Sequence, residues 1–413
     1  MPAPPRPTPG WPLLTLAALA MVGTLPARTQ GLGLITEPLL TDLALDRVSY
    51  ASLNLWATIL GACGALGIGR LLDRYGPRLV LTCVAATLSL VVAAMSQVTS
   101  WFPLAVALTA TRAVGQGALS VVSIAIVGLW FRQRIDRAMA LYSIALSIGF
   151  MMAFPAVGAM VESYGWRAAW LAIAVALGFG LAPLAWILAR RGPPTSDSLA
   201  DEPEARNAEG LSLAEAVRTG AFWVFALGAA LYGLVASGIG LFNEAILAEL
   251  GFGYDIYYQS LAITALFSLV GNFLGGWLTR QVSFVRLMAG ALVLLALGVG
   301  VLPQLGSLTA VMLWAAAMGI SGGIVMVHFF SVWPAVFGRR HLGRIQGAAQ
   351  ALTVLGSAVG PLLLALCVEA TGSHAVMFRI LALAVALLAL AALLVSLPTP
   401  QTSESPAEPR TLG

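Results

Sequence analysis

Two arginines lie inside long apolar stretches of the chain, and they are the residues whose type and position most clearly indicate chemistry: Arg28 and Arg112. A charged side chain near the centre of a membrane-spanning helix costs about 2.5–3.5 kcal/mol on insertion scales, so its presence there indicates a role. A guanidinium carries a permanent positive charge and several hydrogen-bond donors. The chemistry that these residues favour is therefore the binding of an anion.

Each arginine has a polar neighbour and a structural alternative. Arg28 follows Pro26 and precedes Gln30, and we interpret Arg28 and Gln30 as ligands on the wall of a cavity. The alternative is a structural Arg28 that pairs with a glutamate or extends to the membrane surface. Gln116 lies one helical turn after Arg112, so both residues are candidate substrate ligands. The alternative for Arg112 is an ion pair within the membrane, with Glu37 as its partner.

Other polar residues of the apolar stretches complete the candidate set. Glu37 and Glu244 are proton-coupling candidates, because a carboxyl group that gains and loses a proton between two access states couples transport to a proton gradient. The favoured interpretation of both is nevertheless a residue at the outer helix end or an outer gate contact. Tyr232, Asn243 and His328 are candidate substrate ligands. His328 has the alternative of a hydrogen-bonded packing residue.

The composition requires a membrane around these residues. Charged residues make up 10% of the 413 residues and hydrophobic residues 59%, whereas a soluble domain carries about 25% charged residues. Segments of about 20 apolar residues predict membrane-spanning helices. The predicted spans are 11–40, 49–72, 78–98, 103–131, 138–162, 166–189, 221–250, 257–279, 285–305, 308–337, 344–370 and 374–397.

An internal repeat divides these spans into two halves. The segment GLGLITEPLLTDL begins at Gly31, and GIGLFNEAILAEL begins at Gly238, which is 207 residues further on. The same offset pairs residues late in each half. The sequence therefore predicts an all-α integral membrane protein with twelve transmembrane helices in two parallel six-helix repeats, a layout of transporters. The expected parts are an N-terminal tail (1–10), a six-helix bundle (11–189), a linker (190–220), a second bundle (221–397) and a C-terminal tail (398–413).

The arginine distribution predicts the orientation. The loops GRLLDRYGPR, RQRIDR, RRGPP, TRQVSFVR and GRRHLGR lie on one side, while the other side has Arg47, Arg167 and Arg379. Positively charged loops stay in the cytoplasm. We therefore expect a multi-pass protein of the inner membrane. Both termini, with their tails, and the linker would lie in the cytoplasm, and the first span would be retained in the mature protein.

Several classes of function are disfavoured. No Walker motif or metal-ligand spacing occurs, and the three cysteines lie far apart in apolar stretches. The expectation is no cofactor, no metal, no enzymatic activity and no nucleic-acid partner. The basic residues are explained by cytoplasmic loops.

Several motifs resemble those of the major facilitator superfamily. They are the loop GRLLDRYGPR from Gly69 to Arg78, Arg112 in RAVGQG, and SIGFMMAFPAVGAMVESYGWR from Ser147 to Arg167. Within that superfamily, LWFRQRIDRAMALYSIALSIG and VFGRRHLGRIQGAAQ look most like the monocarboxylate transporter and oxalate–formate antiporter group. The predicted eighth span lacks the basic residue that this group often uses for the substrate carboxylate, so substrate identity does not carry over.

The resemblance implies roles for particular residues. Spans one, four, seven and ten would line the cavity, and Arg112 would serve substrate binding or proton coupling. The loop residues Gly69, Asp73 and Arg74 would hold the cytoplasmic side closed, and Arg137 is a candidate partner of Asp73. The copy in the second half, GGWLTRQ, lacks the aspartate, so a weaker latch is expected there.

The leading hypothesis is a monomeric secondary transporter that moves a small organic anion, such as a carboxylate, by alternating access with proton coupling or exchange. Its partners would be that small molecule and the lipid bilayer. The alternative is an efflux transporter of amphipathic drugs, in which Trp223, Tyr232 and Trp333 matter more than Arg28. A nutrient sensor would need a larger cytoplasmic domain, and an enzyme would need a nucleophile, base or metal cluster.

Overall fold

The computed structural model of the protein describes residues 11–65, 67–131, 135–189, 210–338 and 341–398. For five residues within these ranges it describes the backbone alone: Gly69, Asp73, Leu129, Ile135 and Asp136. The predicted tail 1–10, most of the linker and nearly all of the tail 398–413 lie outside the described residues.

The described part of the chain is a bundle of long apolar helices without a β-strand. Eleven helices are long and apolar enough to cross a membrane, and the shorter apolar segment Trp11–Ala27 precedes them. Isolated bridge pairing joins Gly210 to Gly338. The predicted all-α membrane fold is thus confirmed.

The first half contains six spans, some of them interrupted. Its helical segments are Trp11–Val22, Leu25–Ala27, Thr29–Gly33, Thr36–Leu43, Arg47–Ala62, Cys63–Ala65, Ile68–Met95, Trp101–Thr111, Arg112–Leu119, Ser120–Trp130, Ile135–Tyr164, Trp166–Val175, Ala176–Leu181 and Ala182–Leu188. The segments Arg112–Leu119 and Ala176–Leu181 are π-helical.

The second half is more regular. A short helix, Leu213–Ala216, precedes it, and its helical segments are Gly220–Glu249, Tyr254–Leu278, Phe284–Val301, Leu302–Gln304, Leu308–Phe337, Leu342–Thr371 and His374–Leu394.

The first span is broken, whereas the sequence predicted one continuous helix. Pro26 lies in a 3₁₀ turn and has no N–H to donate, and Arg28 then has extended backbone angles, φ −89° and ψ 149°. A second break follows at Ile35, φ −119° and ψ 2°. The helix therefore crosses as several short segments, and Arg28 lies at one of the breaks.

The 207-residue repeat is visible in the backbone. Phe242 is the counterpart of Ile35 and interrupts the seventh span with φ −116° and ψ 16°. Ala44 and its counterpart Gly251 both have positive φ, 50° and 83°. The breaks and turns recur at one offset because the two halves share one fold.

The two halves touch at the face opposite the termini. The Tyr254 hydroxyl donates a 2.7 Å hydrogen bond to the carbonyl of Leu34. A Cβ added to Gly33 would lie 2.1 Å from the carbonyl oxygen of Gly240, so these two backbones are in direct contact. The ring of Tyr258 packs on Gly158. We call this the closed face, defined by Gly33, Leu34, Gly158, Gly240, Tyr254 and Tyr258.

Candidate functional site

Arg112 is buried in the first half and is surrounded by neutral hydrogen-bond acceptors. It begins the π-helical segment of the fourth span, a geometry that occurs often at functional sites. Only 2% of the residue is exposed. Its guanidinium donates to the carbonyl of Ala27 at 3.1 Å, the Thr29 hydroxyl at 3.2 Å, Gln116 Oε1 at 2.8 Å and Asn54 Oδ1 at 3.0 Å. Spans one, two and four therefore meet at this side chain.

The charge of Arg112 has no acidic partner among the described side chains. Its Nε also lacks a hydrogen-bond acceptor there. The alternative of an ion pair with Glu37 is wrong: Glu37 pairs with Arg47, with contacts of 2.9 and 3.1 Å. The turn between the first two spans places Arg47 beside Glu37, and so Arg112 keeps an uncompensated positive charge.

One edge of this guanidinium is covered by partly exposed side chains as well as by backbone. Gln116 is exposed and Thr29 is half-buried, and both accept from the same terminal nitrogen of Arg112. Three acceptors share this nitrogen, which has two hydrogens, so one acceptor is redundant. Rotation of Gln116 would open this nitrogen to a ligand without leaving it bare.

Glycines make room for this arrangement. A Cβ on Gly61 would lie 2.6 Å from the Cβ of Arg112, and one on Gly115 would lie 2.4 Å from the Cβ of Ala27. Small residues let membrane helices approach closely. The glycine-rich second span therefore holds the fourth span near enough for Asn54 to reach Arg112.

Arg28 is a second cation with neutral partners. Its Nε donates to the Thr24 hydroxyl at 2.8 Å, a terminal nitrogen lies 2.9 Å from the sulfur of Met21, and the guanidinium lies 5.1 Å from the centre of the Phe150 ring. The residue is half-buried. Among the described side chains, Arg28 has no glutamate partner, and its guanidinium has no contact with that of Arg112.

The remaining predicted ligands, Gln116 apart, form no described hydrogen bond with Arg112. Gln30 packs on Gly240 in the second half, and the Tyr232 hydroxyl packs on Gly322, where an added Cβ would lie 2.1 Å away. Asn243 is buried, with its amide nitrogen 3.5 Å from the Ser260 hydroxyl. These contacts spread the polar set over several helices.

His328 is fully buried within the second half. Its Nε2 lies 3.0 Å from the carbonyl oxygen of Phe284, and its ring packs between Phe225 and Phe284, with centroid distances of 5.0 and 5.8 Å. This environment resembles the packing alternative more than a substrate-facing position.

The two glutamates that the repeat pairs have different surroundings at the closed face. Glu37 is neutralised by Arg47. In the second half Tyr254 occupies the position that corresponds to Arg47, and it bonds to Leu34 instead. Glu244 is half-buried, and its Oε2 has no hydrogen-bond partner among the described residues.

The predicted gate residues lie on the side of the termini. Gly69, Asp73 and Arg74 belong to the segment that precedes a sharp bend at Gly76, φ 75° and ψ 160°. Arg74 packs on the ring of Tyr75. Arg137 is exposed at the start of the fifth span, and the side chain of Asp73 is outside the described part, so their pairing stays a prediction.

Sequence reasoning missed Asn54, Thr29 and Tyr50. Asn54 is 2% exposed and Tyr50 is fully buried, and the Tyr50 hydroxyl has no described hydrogen-bond partner. Asn54 was detectable as an isolated amide in an apolar span. The neighbour that the Asn54 side chain would face was not detectable, because a largely apolar helix does not reveal which of its faces packs against which other helix. No group of acidic, histidine or cysteine side chains within the described residues could hold a metal ion.

Comparison with known proteins identifies the class of protein that this fold and site define. A model of the Major Facilitator Superfamily matches residues 13–283 and 225–412. The chain belongs to the major facilitator superfamily. The fold and family are those of multi-pass membrane proteins that carry out secondary transport by alternating access, and not those of enzymes. No curated protein matches the sequence.

Two solved structures show the same fold at low sequence identity. Both are of a bacterial homologue of the human lysosomal transporter Spinster. The inward-facing and unoccupied form has a TM-score of 0.72 and 18% identity, and covers 94% of this chain and 96% of that chain. The inward-facing and occupied form has a TM-score of 0.67 and 16% identity, and covers 95% of this chain and 94% of that chain.

Proposed function

We propose that this protein is a secondary transporter of a small organic anion, such as a carboxylate, and that Arg112 is the principal anion ligand. The main support for this proposal is the chemical nature of the groups that contact Arg28 and Arg112. Arg112 lies within the fourth span and Arg28 at a break in the first, and the described partners of both guanidinium groups are neutral.

The guanidinium of Arg112 lacks a negative counter-charge among the described side chains. A buried charge is costly unless it is paired, and hydrogen bonds to neutral oxygens offset only part of the cost. A substrate carboxylate at Arg112 would supply the missing negative charge, with two oxygens that suit a guanidinium. Gln116 Oε1 holds the position that one of those oxygens would take.

The contacts at the closed face support alternating access with that side shut. Gly33 and Gly240 bring the two halves together there, and Tyr254 bridges to Leu34. The substrate would bind from the side of the termini. The arginine-rich loops indicate that this side faces the cytoplasm, and the membrane would be the inner membrane. Gly69, Asp73, Arg74 and Arg137 would close that side in the opposite state.

Coupling would use a proton or exchange for a second anion, so the carrier would be a symporter or an antiporter. Of the two glutamates, Glu244 is the better candidate proton carrier, because no described cation forms an ion pair with it, whereas Arg47 forms one with Glu37. We also propose that the protein acts as a monomer and that it is related to the monocarboxylate transporter and oxalate–formate antiporter group.

Uptake into proteoliposomes tests the proposal. Purified protein is reconstituted, and radiolabelled mono- and dicarboxylates are offered with and without a pH gradient. We expect at least one carboxylate to accumulate. The double variant Arg28→Ala/Arg112→Ala should abolish uptake, while Arg286→Ala, which removes an exposed arginine, should not. Absence of carboxylate uptake, or full activity of the double variant, would contradict the proposal.

Variants of the glutamates address coupling. Glu244→Gln should remove stimulation by a proton gradient, and Glu37→Gln should preserve it. Stimulation that survives in Glu244→Gln would assign proton binding to another group, and absence of stimulation in the wild type would favour anion exchange as the driving process.

Drug efflux remains the alternative, but the aromatic residues give it less support. Trp333 is fully buried against Phe222, Phe329 and Phe337. Trp223 donates to the carbonyl of Val217 near the side of the termini. These two side chains do not share a surface with Tyr232, so the arginine site is the stronger basis for a function.

A further inference from the structure

Two contacts between an acidic and a basic side chain, at the closed face, occupy equivalent positions in the two halves. Asp42 pairs with Arg167 at 2.8 Å, and Glu249 pairs with His374 at 2.7 Å. Both members of the second pair follow their counterparts by 207 residues. Each pair ties the outer end of the first span of a half to the start of its last span. The repeat has kept the contact and changed the base from arginine to histidine.

Each pair anchors a helix tip that lies beyond a backbone break. In the first half the break at Ile35 precedes the tip Thr36–Leu43. In the second half the break at Phe242 precedes the residues 243–249, which we call the seventh-span tip. This tip carries Glu244 and Glu249, and both interact electrostatically with Arg47 of the first half. The anchoring of the tip therefore bears on contacts between the halves.

The two anchors differ in strength and in chemistry. Asp42 accepts from Arg167 and from the Trp166 indole at 3.2 Å, and Arg167 also donates to the carbonyl of Ser96. Arginine stays charged at every physiological pH, whereas a histidine changes charge close to neutrality. The second anchor has a single contact, between Nδ1 of His374 and Glu249.

We infer that His374 is a proton-binding site that sets how firmly the seventh-span tip is held, and so couples the pH at the closed face to the opening of that face. Protonated His374 forms an ion pair with Glu249 and holds the tip. Neutral His374 leaves a weaker hydrogen bond, and the tip is released as the pH rises. The proton reaches the site through Glu249, because 47% of its side chain is exposed, against 4% for His374.

The other charged groups near His374 do not provide an equivalent switch. The ninth span and the turn Leu302–Gln304 pack on the twelfth span and have no titratable residue at this end. The seventh and eleventh spans also pack on the twelfth, and their charged residues at this end are Glu249, Glu244 and Glu369. Arg379 lies on the twelfth span itself, and Asp255 lies at the start of the eighth. Four of these five are carboxylates, and the fifth is an arginine.

A distance measurement between the two tips tests the inference. Cysteines replace Thr41 and Ala248, which are exposed on the first and second tips, in a background with Cys63, Cys83 and Cys367 changed to serine. Spin labels at Thr41→Cys and Ala248→Cys report the distance distribution in lipid nanodiscs at about pH 5.5 and about pH 8. We expect a narrow distribution at the lower pH and a broader one at the higher pH.

Exchange of the two anchors supplies the controls. His374→Arg copies the first-half anchor and should give the narrow distribution at both pH values, and His374→Gln should give the broad one at both. Arg167→His should add a pH response in the first half. A wild-type distribution that is independent of pH would overturn the inference, and so would a full response in His374→Arg or His374→Gln. These results do not depend on which substrate the carrier moves.

Discussion

The two halves share one backbone plan but fill equivalent places with different side chains. In the first half, spans two and four carry Asn54, Arg112 and Gln116 as a connected polar network. The counterparts in the second half are Leu261, Gly319 and Gly323. The polar chemistry of the buried site is therefore confined to one half.

The glycines that replace Arg112 and Gln116 in the second half lie against the backbone of the eighth span. A Cβ on Gly319 would lie 2.5 Å from the carbonyl oxygen of Thr264, and one on Gly323 would lie 2.3 Å from that of Ser268. Backbone contact between these spans recurs in both halves, since a Cβ on Gly64 would lie 2.2 Å from the carbonyl oxygen of Ala113, and one on its counterpart Gly271 would lie 2.4 Å from that of Ile320. Both halves therefore pack these spans closely, and the first half differs in carrying a buried charge beside the contact.

Filling a glycine of the second half should have the largest effect on stability. In Gly323→Ala the new methyl group would meet the backbone of Ser268 and Asn272, at 2.3 and 2.5 Å, so spans eight and ten must move apart. We expect a loss of about 3 kcal/mol, at the upper end of overpacking effects. Thermal unfolding in detergent measures it. Gly290→Ala, with nothing within 4 Å, is the control, and equal Tm values for the two variants would refute tight packing.

Removing the amide that supports Arg112 should weaken ligand binding. In Asn54→Ala, one terminal nitrogen of Arg112 loses its 3.0 Å acceptor, and the guanidinium becomes free to turn away. We expect about a tenfold loss of carboxylate affinity, as for a hydrogen bond to a charged group. Titration of purified protein measures the affinity. Thr58→Ala, one turn along the same helix, removes only a bond to the carbonyl of Asn54 and should bind normally.

The turns after the first and seventh spans offer a reciprocal test. Ala44 has left-handed angles, φ 50° and ψ 44°, which disfavour a residue with a Cβ, and its counterpart is Gly251. We expect Ala44→Gly to raise stability by about 1 kcal/mol and Gly251→Ala to lower it by a similar amount. Opposite shifts in Tm would confirm the shared turn, and shifts of the same sign would not.

The smallest expected effect concerns the helix caps at the same ends. Asp46 accepts from the backbone N–H and the hydroxyl of Ser49, at 2.7 and 2.6 Å, whereas its counterpart Gly253 has no side chain to cap the eighth span. We expect Asp46→Ala to cost about 0.5–1 kcal/mol, and Gly253→Ala to cost less.

This cap should also depend on pH. The hydroxyl and N–H of Ser49 hold the pKa of the Asp46 carboxyl below its usual value. A carboxyl with a lowered pKa in the folded state stabilises the protein above the pKa of the unfolded chain, and this stabilisation is lost as the pH falls through the folded value. The Tm difference between wild type and Asp46→Ala should thus shrink below about pH 4. A difference that persists unchanged there would exclude the carboxylate as the cap.

Much of the fold follows from the sequence, because the bilayer sets the helix length and the repeat sets the topology. For Arg112 the sequence left two interpretations open, a substrate ligand and an ion pair with Glu37. Its contact with Asn54 was not predictable, since side-chain direction on an apolar helix depends on which neighbours pack against it. The partner of Glu37 was missed because a tight turn folds Arg47 back beside it. The burial of His328 likewise depends on packing between three helices.

Thermal stabilisation of purified protein by carboxylates tests the central claim most directly, because a ligand that binds the folded state raises the Tm. We expect at least one carboxylate to raise the Tm of the wild type and its neutral amide to leave the Tm unchanged. Arg112→Gln should lose the stabilisation, and Arg112→Lys should retain part of it. Equal stabilisation by the amide, or full stabilisation of Arg112→Gln by the carboxylate, would contradict the claim that Arg112 binds an anionic substrate.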